Sequence, residues 1–548
     1  MTIISFLAFT VLVAVISYLS TRSTDENTQD GYFLGGRSLT AGVIAGSLLL
    51  TNLSTEQIVG LNGGAYSQGI LVMAWETLAA IAMVVTALFL LPRYLKGGLT
   101  TVPQFLEGRY DTMTKTLTSA LFLSGYVVVF LPVVLYTGGL AIVTMFDVAE
   151  TLGVSHTAAL WMCVWGIGII GSIYAIFGGL KAVAVSDTIN AVGLLIGGLM
   201  IPYFGLKFIG DGSIGTGMST LMTSLPEKFK SMGDASSDVP FATIFTGMML
   251  VQLFYWGTNQ AIIQRALAAK NLEEGQKGLL LAAAIKVMGP LIVVLPGIIA
   301  YYIFSGELEI ADQAYPMLVA KVLPPALVGF FAAVLFGAIL SSFNSALNSS
   351  VTLFGLDIYK EHINPDATEK QVVTYGKGFG VILAIMAMFI APFLASAGSI
   401  FDYLQQVNGC YSIPILTIIV VGYLTKWVPA IAAKVAMGLG VVLYSISQFI
   451  LQPNLVGKAL AQAEANGITD MVQLADIEAA AYPHFLHVMA ILFVMNVGIM
   501  LIIGKMRPRT EAYELEYTEQ VDITPYKYVK QVGILITVIV MGIYIYFA

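Results

Sequence analysis

The chain has 548 residues, of which 57% are hydrophobic and only 11% are charged, and its mean hydropathy is +0.84. Soluble domains carry about 25% charged residues, so this composition excludes a soluble globular protein and predicts an integral membrane protein. The formal net charge of −7 includes no basic block that would indicate nucleic-acid binding. The two cysteines, Cys163 and Cys410, lie in apolar segments and predict neither a disulfide framework nor a cysteine metal site.

The apolar segments along the chain predict about fourteen transmembrane helices, since one span needs about 20 mainly apolar residues. The first, 2–20, has no Lys or Arg before Arg22, so we expect a retained helix rather than a signal peptide. With the N-terminus outside, most of the 26 Lys and Arg residues fall in cytoplasmic loops, as the positive-inside rule requires. Both termini are therefore predicted on the extracytoplasmic side of the cell membrane.

Two of these segments are interrupted by polar residues, one in each half of the chain. The first interruption is 51–57, within "TNLSTEQIVG", and the second is 252–260, "QLFYWGTNQ". Five segments separate the two breaks, so the second copy of a repeat must be inverted. Paired interruptions of this kind predict an inverted-repeat transporter whose binding site lies at the breaks.

The first break is expected to end one half-helix near Asn52 and to begin another at Ser54. "STEQ" reads as a capping box, with Ser54 as the cap and Gln57 at the third helical position. The free carbonyls that end the first half-helix carry partial negative charge and suit a small cation. Glu56 lies in this break, and the sequence assigns it no role.

Small and hydroxyl residues form one face of a later segment. Ala338, Ser341, Ser342 and Ser345 follow helical spacing. Hydroxyl and carbonyl oxygens could complete the coordination of Na⁺ begun at the first break. The alternative is close helix packing through small residues.

Two charged residues lie well inside predicted spans, where ionisable groups are costly and usually functional. Glu76 and Lys286 are on antiparallel segments, and they could form a structural ion pair or a polar pair beside a solute cavity. Tyr255 and Trp256 flank a kink at Gly257. Their rings could stack on a sugar or simply pack in the core.

With these residues in place, the chain resembles the solute:sodium symporter family, in the branch of the bacterial sodium/galactose (sodium/glucose-type) transporter. The stretches that carry the resemblance are "DGYFLGGRSL" (30–39), "NLSTEQIVGLNGGAY" (52–66), "GGLKAVAVSD" (178–187), "YWGTNQAIIQRALAAK" (255–270) and "LSSFNSALNSSVTLFGLDIYK" (340–360). The resemblance implies an all-α membrane protein built on two inverted five-helix repeats, 39–207 and 240–425. One peripheral helix, 2–20, would precede them, and three within 428–548 would follow.

The resemblance also implies the roles of particular residues. Sodium would be held by the backbone carbonyls of Leu50, Leu53 and Ala338 and by the hydroxyls of Ser341 and Ser342. The solute would be contacted by Gln57, Glu76, Gln252, Lys286 and Gln405, with Tyr255 stacking as the inner gate. The outer hydrophobic gate would consist of Leu61, Trp75 and Phe401.

Three positions depart from the family pattern. Gln252 stands where the galactose transporter has Asn, and Ala79 stands where it has Ser, which puts galactose itself in doubt because hydrogen-bonding sites discriminate sharply. Asp187, Ser341 and Ser345 match a second sodium site that some relatives have, but Asn344 replaces a Ser there. Asp187 also matches the inner carboxylate near the sodium exit path.

The resulting hypothesis is a sodium-coupled secondary active symporter that imports a neutral sugar or polyol by alternating access, not an enzyme. Its partners would be Na⁺, the solute and the bilayer, with no nucleic acid and no obligate protein partner. One alternative is a sodium symporter for a carboxylate or amino acid. Another is an uncoupled uniporter or sensor on the same scaffold.

Overall fold

The computed structural model describes residues 2–21, 28–304, 308, 311–396 and 400–548. Within these residues, every element longer than an isolated bridge is a helix. The first half of the chain forms α1 (Thr2–Thr21), α2 (Gln29–Leu34), α3 (Ala41–Asn52), α4 (Thr55–Gln68), α5 (Ala74–Val85), α6 (Leu91–Lys96), α7 (Val102–Arg109), α8 (Thr112–Gly125), α9 (Leu131–Met145), α10 (Val148–Leu152), α11 (His156–Ile209) and α12 (Ile214–Ser224).

The second half forms α13 (Gly247–Gly257), α14 (Gln260–Leu267), α15 (Leu272–Val287), α16 (Gly289–Val293), α17 (Leu295–Phe304), α18 (Ala314–Val322), α19 (Pro325–Thr352), α20 (Glu369–Ile390), α21 (Ile400–Leu424), α22 (Ala430–Ile446), α23 (Gln452–Ala465), α24 (Met471–Ala481), α25 (Phe485–Met506) and α26 (Val529–Tyr546). Wide π-helical turns join α5 to α6, α8 to α9 and α22 to α23.

Ten helices in the described residues are long and apolar enough to cross a membrane, or eleven if one bent pair counts as a span. This confirms an all-α, multi-pass membrane architecture. Helices also lie in the remaining predicted segments, but α3, α13 and α14 are half-helices too short to span alone. The total of fourteen spans and the division into repeats at 39–207 and 240–425 remain predictions.

The two predicted breaks are present and lie in contact with the same helix. α3 ends at Asn52 and α4 begins at Thr55, while α13 ends at Gly257 and α14 begins at Gln260. α3 and α14 pack against each other, and both pack against α19. The breaks and the serine-bearing helix therefore meet in one region.

The capping box predicted at the first break is wrong, although the position of the cap is right. Ser54 is the N-cap residue of α4, but its side chain accepts no backbone hydrogen bond. Its hydroxyl instead donates to the carboxylate of Glu56. The Ser54 hydroxyl that a capping box requires is thus hydrogen-bonded to the Glu56 carboxylate instead of to the backbone.

A third discontinuity lies in the apolar segment 277–305, for which the sequence predicts one continuous helix. α15 and the α16–α17 segment are bent by 49° at Met288. The bend precedes Gly289 and Pro290, and proline at the start of α16 cannot continue the hydrogen-bond ladder of α15. Lys286 consequently lies in the last turn of a half-helix.

One glycine divides the longest helix into two spans. Gly179 has φ +59° inside α11, which separates His156–Ile176 from Gly179–Ile209. A Cβ here would approach the ring and carbonyl oxygen of Tyr32 at 3.1 and 3.2 Å. Glycine therefore provides both the backbone conformation and the space for the neighbouring chain.

Candidate functional site

Two of the charged residues singled out in the sequence form a buried ion pair. Lys286 Nζ lies 2.6 Å from both carboxylate oxygens of Glu76, and each side chain is only 1% exposed. Glu76 is in the first turn of α5 and Lys286 is in the last turn of α15, so each helix dipole favours its charge. The backbone of Gly289 lies against Glu76, and a Cβ there would be 2.3 Å from Oε2.

A small polar cavity lies between the two breaks. Its volume is about 30 Å³, which is enough for one or two water molecules and far below the roughly 300–1,000 Å³ of ligand pockets. The predicted site residues that line it are Gln57, Trp75, Gln252, Tyr255 and Gln405. Glu76 and Lys286 are not among the lining residues, because they face each other.

Six further residues line the cavity, and none of them is predicted from the sequence as a solute contact: Asn52, Glu56, Phe130, Val251, Leu404 and Asn408. Asn52 and Glu56 lie in the quoted break, which was a usable signal. Asn408 follows Gln405 by three residues and therefore shares its helix face. The Oδ1 atom of Asn52 is buried, and among the described residues no hydrogen bond to it has ordinary geometry.

Gln252 is held by two tryptophans rather than directed freely into the cavity. Its Nε2 donates to the backbone carbonyl of Trp75 at 2.8 Å, and its Oε1 accepts from Trp256 Nε1 at 3.2 Å. The Tyr255 and Trp256 rings pack edge to face with centroids 5.2 Å apart. Gln252 thus fixes the aromatic wall through which α13 meets α5.

The residues predicted as an outer gate differ in their relation to the cavity. Trp75 lines the cavity, whereas Leu61 does not, although both are buried in the same apolar cluster. Phe401 lies in the first turn of α21, and its side chain falls outside the described part of the structure.

The first break lies directly beside the serine face of α19. Ser342 Oγ donates to the backbone carbonyl of Thr51 at 2.7 Å. The hydroxyl of Thr51 lies 3.3 Å from that of Ser341 and 3.1 Å from that of Ser345. Leu50 and Leu53 flank this contact on the break, and Ala338 is buried one turn before Ser341. The predicted sodium ligands are therefore neighbours across the α3–α19 interface.

A buried arginine that the sequence reading did not single out adjoins these hydroxyls. Arg265 Nε donates to Ser47 Oγ at 3.1 Å, and Ser47 Oγ donates to Asp187 Oδ2 at 2.7 Å. The guanidinium also donates to Ser345 Oγ and to the carbonyl of Ala261. Arg265 lies in the quoted stretch 255–270, but sequence alone does not reveal that Asp187 and Ser345 approach it from other helices.

Comparison with known proteins identifies similar transporters. A family model described as "Sodium:solute symporter family" matches residues 32–440. The chain is 46% identical over 543 residues to "Uncharacterized symporter YidK" of Escherichia coli (strain K12), covering 99% of this chain and 90% of that protein. It is 36% identical over 452 residues to the sodium/glucose cotransporter of Vibrio parahaemolyticus, covering 77% of this chain and 81% of that protein.

A mammalian relative and a solved structure extend the comparison. The chain is 30% identical over 448 residues to sodium/myo-inositol cotransporter 2 of Sus scrofa, covering 76% of this chain and 65% of that protein. The substrate-bound, outward-open structure of a Na⁺-coupled sialic acid symporter matches with a TM-score of 0.72 at 18% identity, covering 93% of this chain and 99% of that one. At this identity the structural match supports the fold alone.

Proposed function

This chain belongs to the sodium:solute symporter family, and we propose that the solute it imports is a neutral sugar or a related polyol. The protein is a sodium-coupled membrane symporter and not an enzyme. Its transport would proceed by alternating access across the cell membrane, with both chain termini on the extracytoplasmic side.

The observation that carries this proposal is the chemistry of the cavity lining. Its polar side chains are five carboxamides, one carboxylate and one phenol: Asn52, Gln57, Gln252, Gln405, Asn408, Glu56 and Tyr255. No Lys or Arg lines it among the described residues. Amides both donate and accept hydrogen bonds, which suits a solute that carries many hydroxyl groups.

The lysine predicted to contact the solute does not favour an anionic one. Lys286 is neutralised by Glu76 at 2.6 Å on both oxygens, and Glu56 places a further carboxylate on the cavity wall. A carboxylate solute would therefore lose its hydration without gaining a free positive partner. The relatives from Vibrio parahaemolyticus and Sus scrofa are named as cotransporters of glucose and myo-inositol, which supports a polyhydroxylated solute.

The cavity must enlarge before a sugar can enter. Its 30 Å³ corresponds to a closed arrangement in which Trp75 and Tyr255 approach the polar wall. We assign Leu61, Trp75 and Phe401 to the outer gate and Tyr255 to the inner gate. Opening would allow Gln57, Gln405 and the Glu76–Lys286 pair to contact the solute.

The Na⁺ ion would bind where the first break meets α19. The ligands are the carbonyls of Leu50, Leu53 and Ala338 and the hydroxyls of Ser341 and Ser342. Ser342 already bridges the two elements through the Thr51 carbonyl, so a cation there would strengthen an existing contact. Na⁺ can bias the conformational cycle only through different affinities for its two states.

Solute uptake into proteoliposomes tests this proposal. D-glucose, D-galactose and myo-inositol would be compared with an anionic sugar acid and a zwitterionic amino acid, each with and without an inward Na⁺ gradient. We expect Na⁺-dependent accumulation of at least one neutral compound and none of the charged ones. Accumulation of only a charged solute, or uptake of a neutral one that ignores Na⁺, would contradict the proposal.

A further inference from the structure

A buried cluster of oxygen atoms extends from the first break toward α11. It contains the carboxylate of Asp187 and the hydroxyls of Ser47, Thr51, Ser341 and Ser345, all of which are buried. Oxygen ligands around one carboxylate are the environment that a hard cation such as Na⁺ prefers. On donor chemistry alone, this cluster could hold a cation in addition to the one proposed at Ser341 and Ser342.

A cation already occupies the cluster, and it belongs to the protein. Arg265 is fully buried, and its guanidinium reaches Ser345 directly and Asp187 through the hydroxyl of Ser47. Arginine keeps its charge in proteins, and burying that charge is tolerated only where it is paired and hydrogen-bonded. Asp187 is the carboxylate that balances it.

We propose that the guanidinium of Arg265 takes the place of a second sodium ion, so that one Na⁺ is carried with each solute molecule. This inference rests on the sodium-coupled uptake proposed above. A mobile Na⁺ in the same cluster would face an adjacent fixed positive charge in a medium of low dielectric constant. It would also have to displace Arg265 from Ser345.

The arrangement leaves the first sodium position available. The guanidinium bonds to Ser47, Ser345 and the carbonyl of Ala261. Ser342, by contrast, directs its hydroxyl to the carbonyl of Thr51. The two ends of the hydroxyl cluster are thus divided between a tethered cation on α14 and a transported cation at the α3–α19 contact.

Equilibrium binding of ²²Na⁺ to the purified full-length protein in detergent tests the division directly. We expect one bound Na⁺ in the unaltered protein and two in Arg265→Gln, where Asp187 and Ser345 are released. The Hill coefficient for Na⁺-dependent uptake should rise from about 1 toward 2, since it is bounded by the number of sites. Adding Ser342→Ala to Arg265→Gln should remove one of the two ions and leave the other.

Two further variants keep the test decisive if Arg265→Gln does not fold. Ser345→Ala should leave one bound Na⁺, because this hydroxyl serves Arg265, whereas a second ion at Ser345 would be lost from a total of two. Arg37→Gln is the matched control. Among the described residues, Arg37 donates to the backbone carbonyl of Leu267 in α14 and to that of Gly98, so the count should stay at one.

The possible failures can be distinguished. Two Na⁺ ions bound to the unaltered protein would overturn the role of Arg265 while leaving sodium coupling intact. A folded Arg265→Gln protein that still binds only one ion would also overturn it. If the unaltered protein showed neither Na⁺ binding nor Na⁺-dependent uptake, the proposed function itself would be wrong.

Discussion

At the scale of single residues, Glu76 and Lys286 form an ion pair in the interior of the protein. Both groups are 1% exposed and bonded at 2.6 Å, in a position where each is worth keeping only with the other. A buried ion pair is weak evidence for stability on its own, but removing one partner leaves an uncompensated charge. The pair can therefore be tested separately for its structural and its transport role.

Glu76→Gln is expected to lower the free energy of unfolding by about 3–5 kcal/mol, because Lys286 loses its counter-ion. The double variant Glu76→Gln with Lys286→Met should recover much of that loss, since no buried charge remains. Thermal unfolding in detergent measures both. If the pair also contacts the solute, the double variant stays inactive in uptake although it is folded; full uptake by the double variant would limit the pair to a structural role.

Gly289→Ala probes the same pair without changing a charge. The new Cβ would lie 2.3 Å from Glu76 Oε2, so the carboxylate must move away from Lys286. Overpacking of this kind costs about 1–3 kcal/mol, which a lower midpoint of thermal unfolding should report together with reduced uptake. Gly166→Ala is the control, because a Cβ at Gly166 meets nothing within 4 Å. Equal effects at both positions would contradict the explanation.

At the scale of helices, the two breaks place the ends of half-helices inside the protein. The carbonyl end of α3 lies against α19, and α14, which follows the second break, packs against both. Free backbone groups within a membrane need a partner, and Ser342 supplies one to Thr51. One of the free carbonyls at the break is therefore satisfied by a side chain of α19.

Ser342→Ala should weaken the response to sodium selectively. Loss of one proposed oxygen ligand is expected to raise the Na⁺ concentration for half-maximal uptake at least tenfold, which corresponds to about 1.4 kcal/mol. The measurement is solute uptake over a Na⁺ titration. Ser350→Ala, on the same helix, is the matched control because, within the described part of the chain, Ser350 Oγ bonds to the carbonyl of Ala346 in its own helix. An unchanged titration in Ser342→Ala would remove Ser342 from the ion site.

At the scale of the whole molecule, apolar segment length was sufficient to predict an all-α membrane protein, and polar interruptions located two breaks. The bend at Met288 was missed because the residues around it are apolar apart from Lys286, although Gly289 and Pro290 are an evident signal. The serine face was visible from helical spacing. The contacts of Arg265 were not, because its partners Ser47 and Ser345 come from distant parts of the chain and meet only after folding.

The candidate cavity shows the same limit. Gln57 and Gln405 could be assigned through resemblance, but the restraint of Gln252 by two tryptophans depends on how α13 packs against α5. The sequence assigns Glu56 no role, whereas in the structure its carboxylate accepts a hydrogen bond from the hydroxyl of Ser54 and lines the cavity. Local pattern identifies such polar residues, and tertiary packing decides which of them remain free to bind.

If the guanidinium of Arg265 takes the place of a second ion, it also limits how far the protein can concentrate its solute. One Na⁺ entering through a tenfold gradient and a potential of 100 mV releases about 3.7 kcal/mol, enough for a solute ratio of about 500. We expect accumulation in sealed vesicles to level off near that value, as measured by internal labelled solute at steady state. A second ion would square the ratio, so a plateau far above it would contradict a single ion. With its own side chain in the second cation position, the protein would reach a lower solute concentration ratio but use only one Na⁺ for each solute molecule.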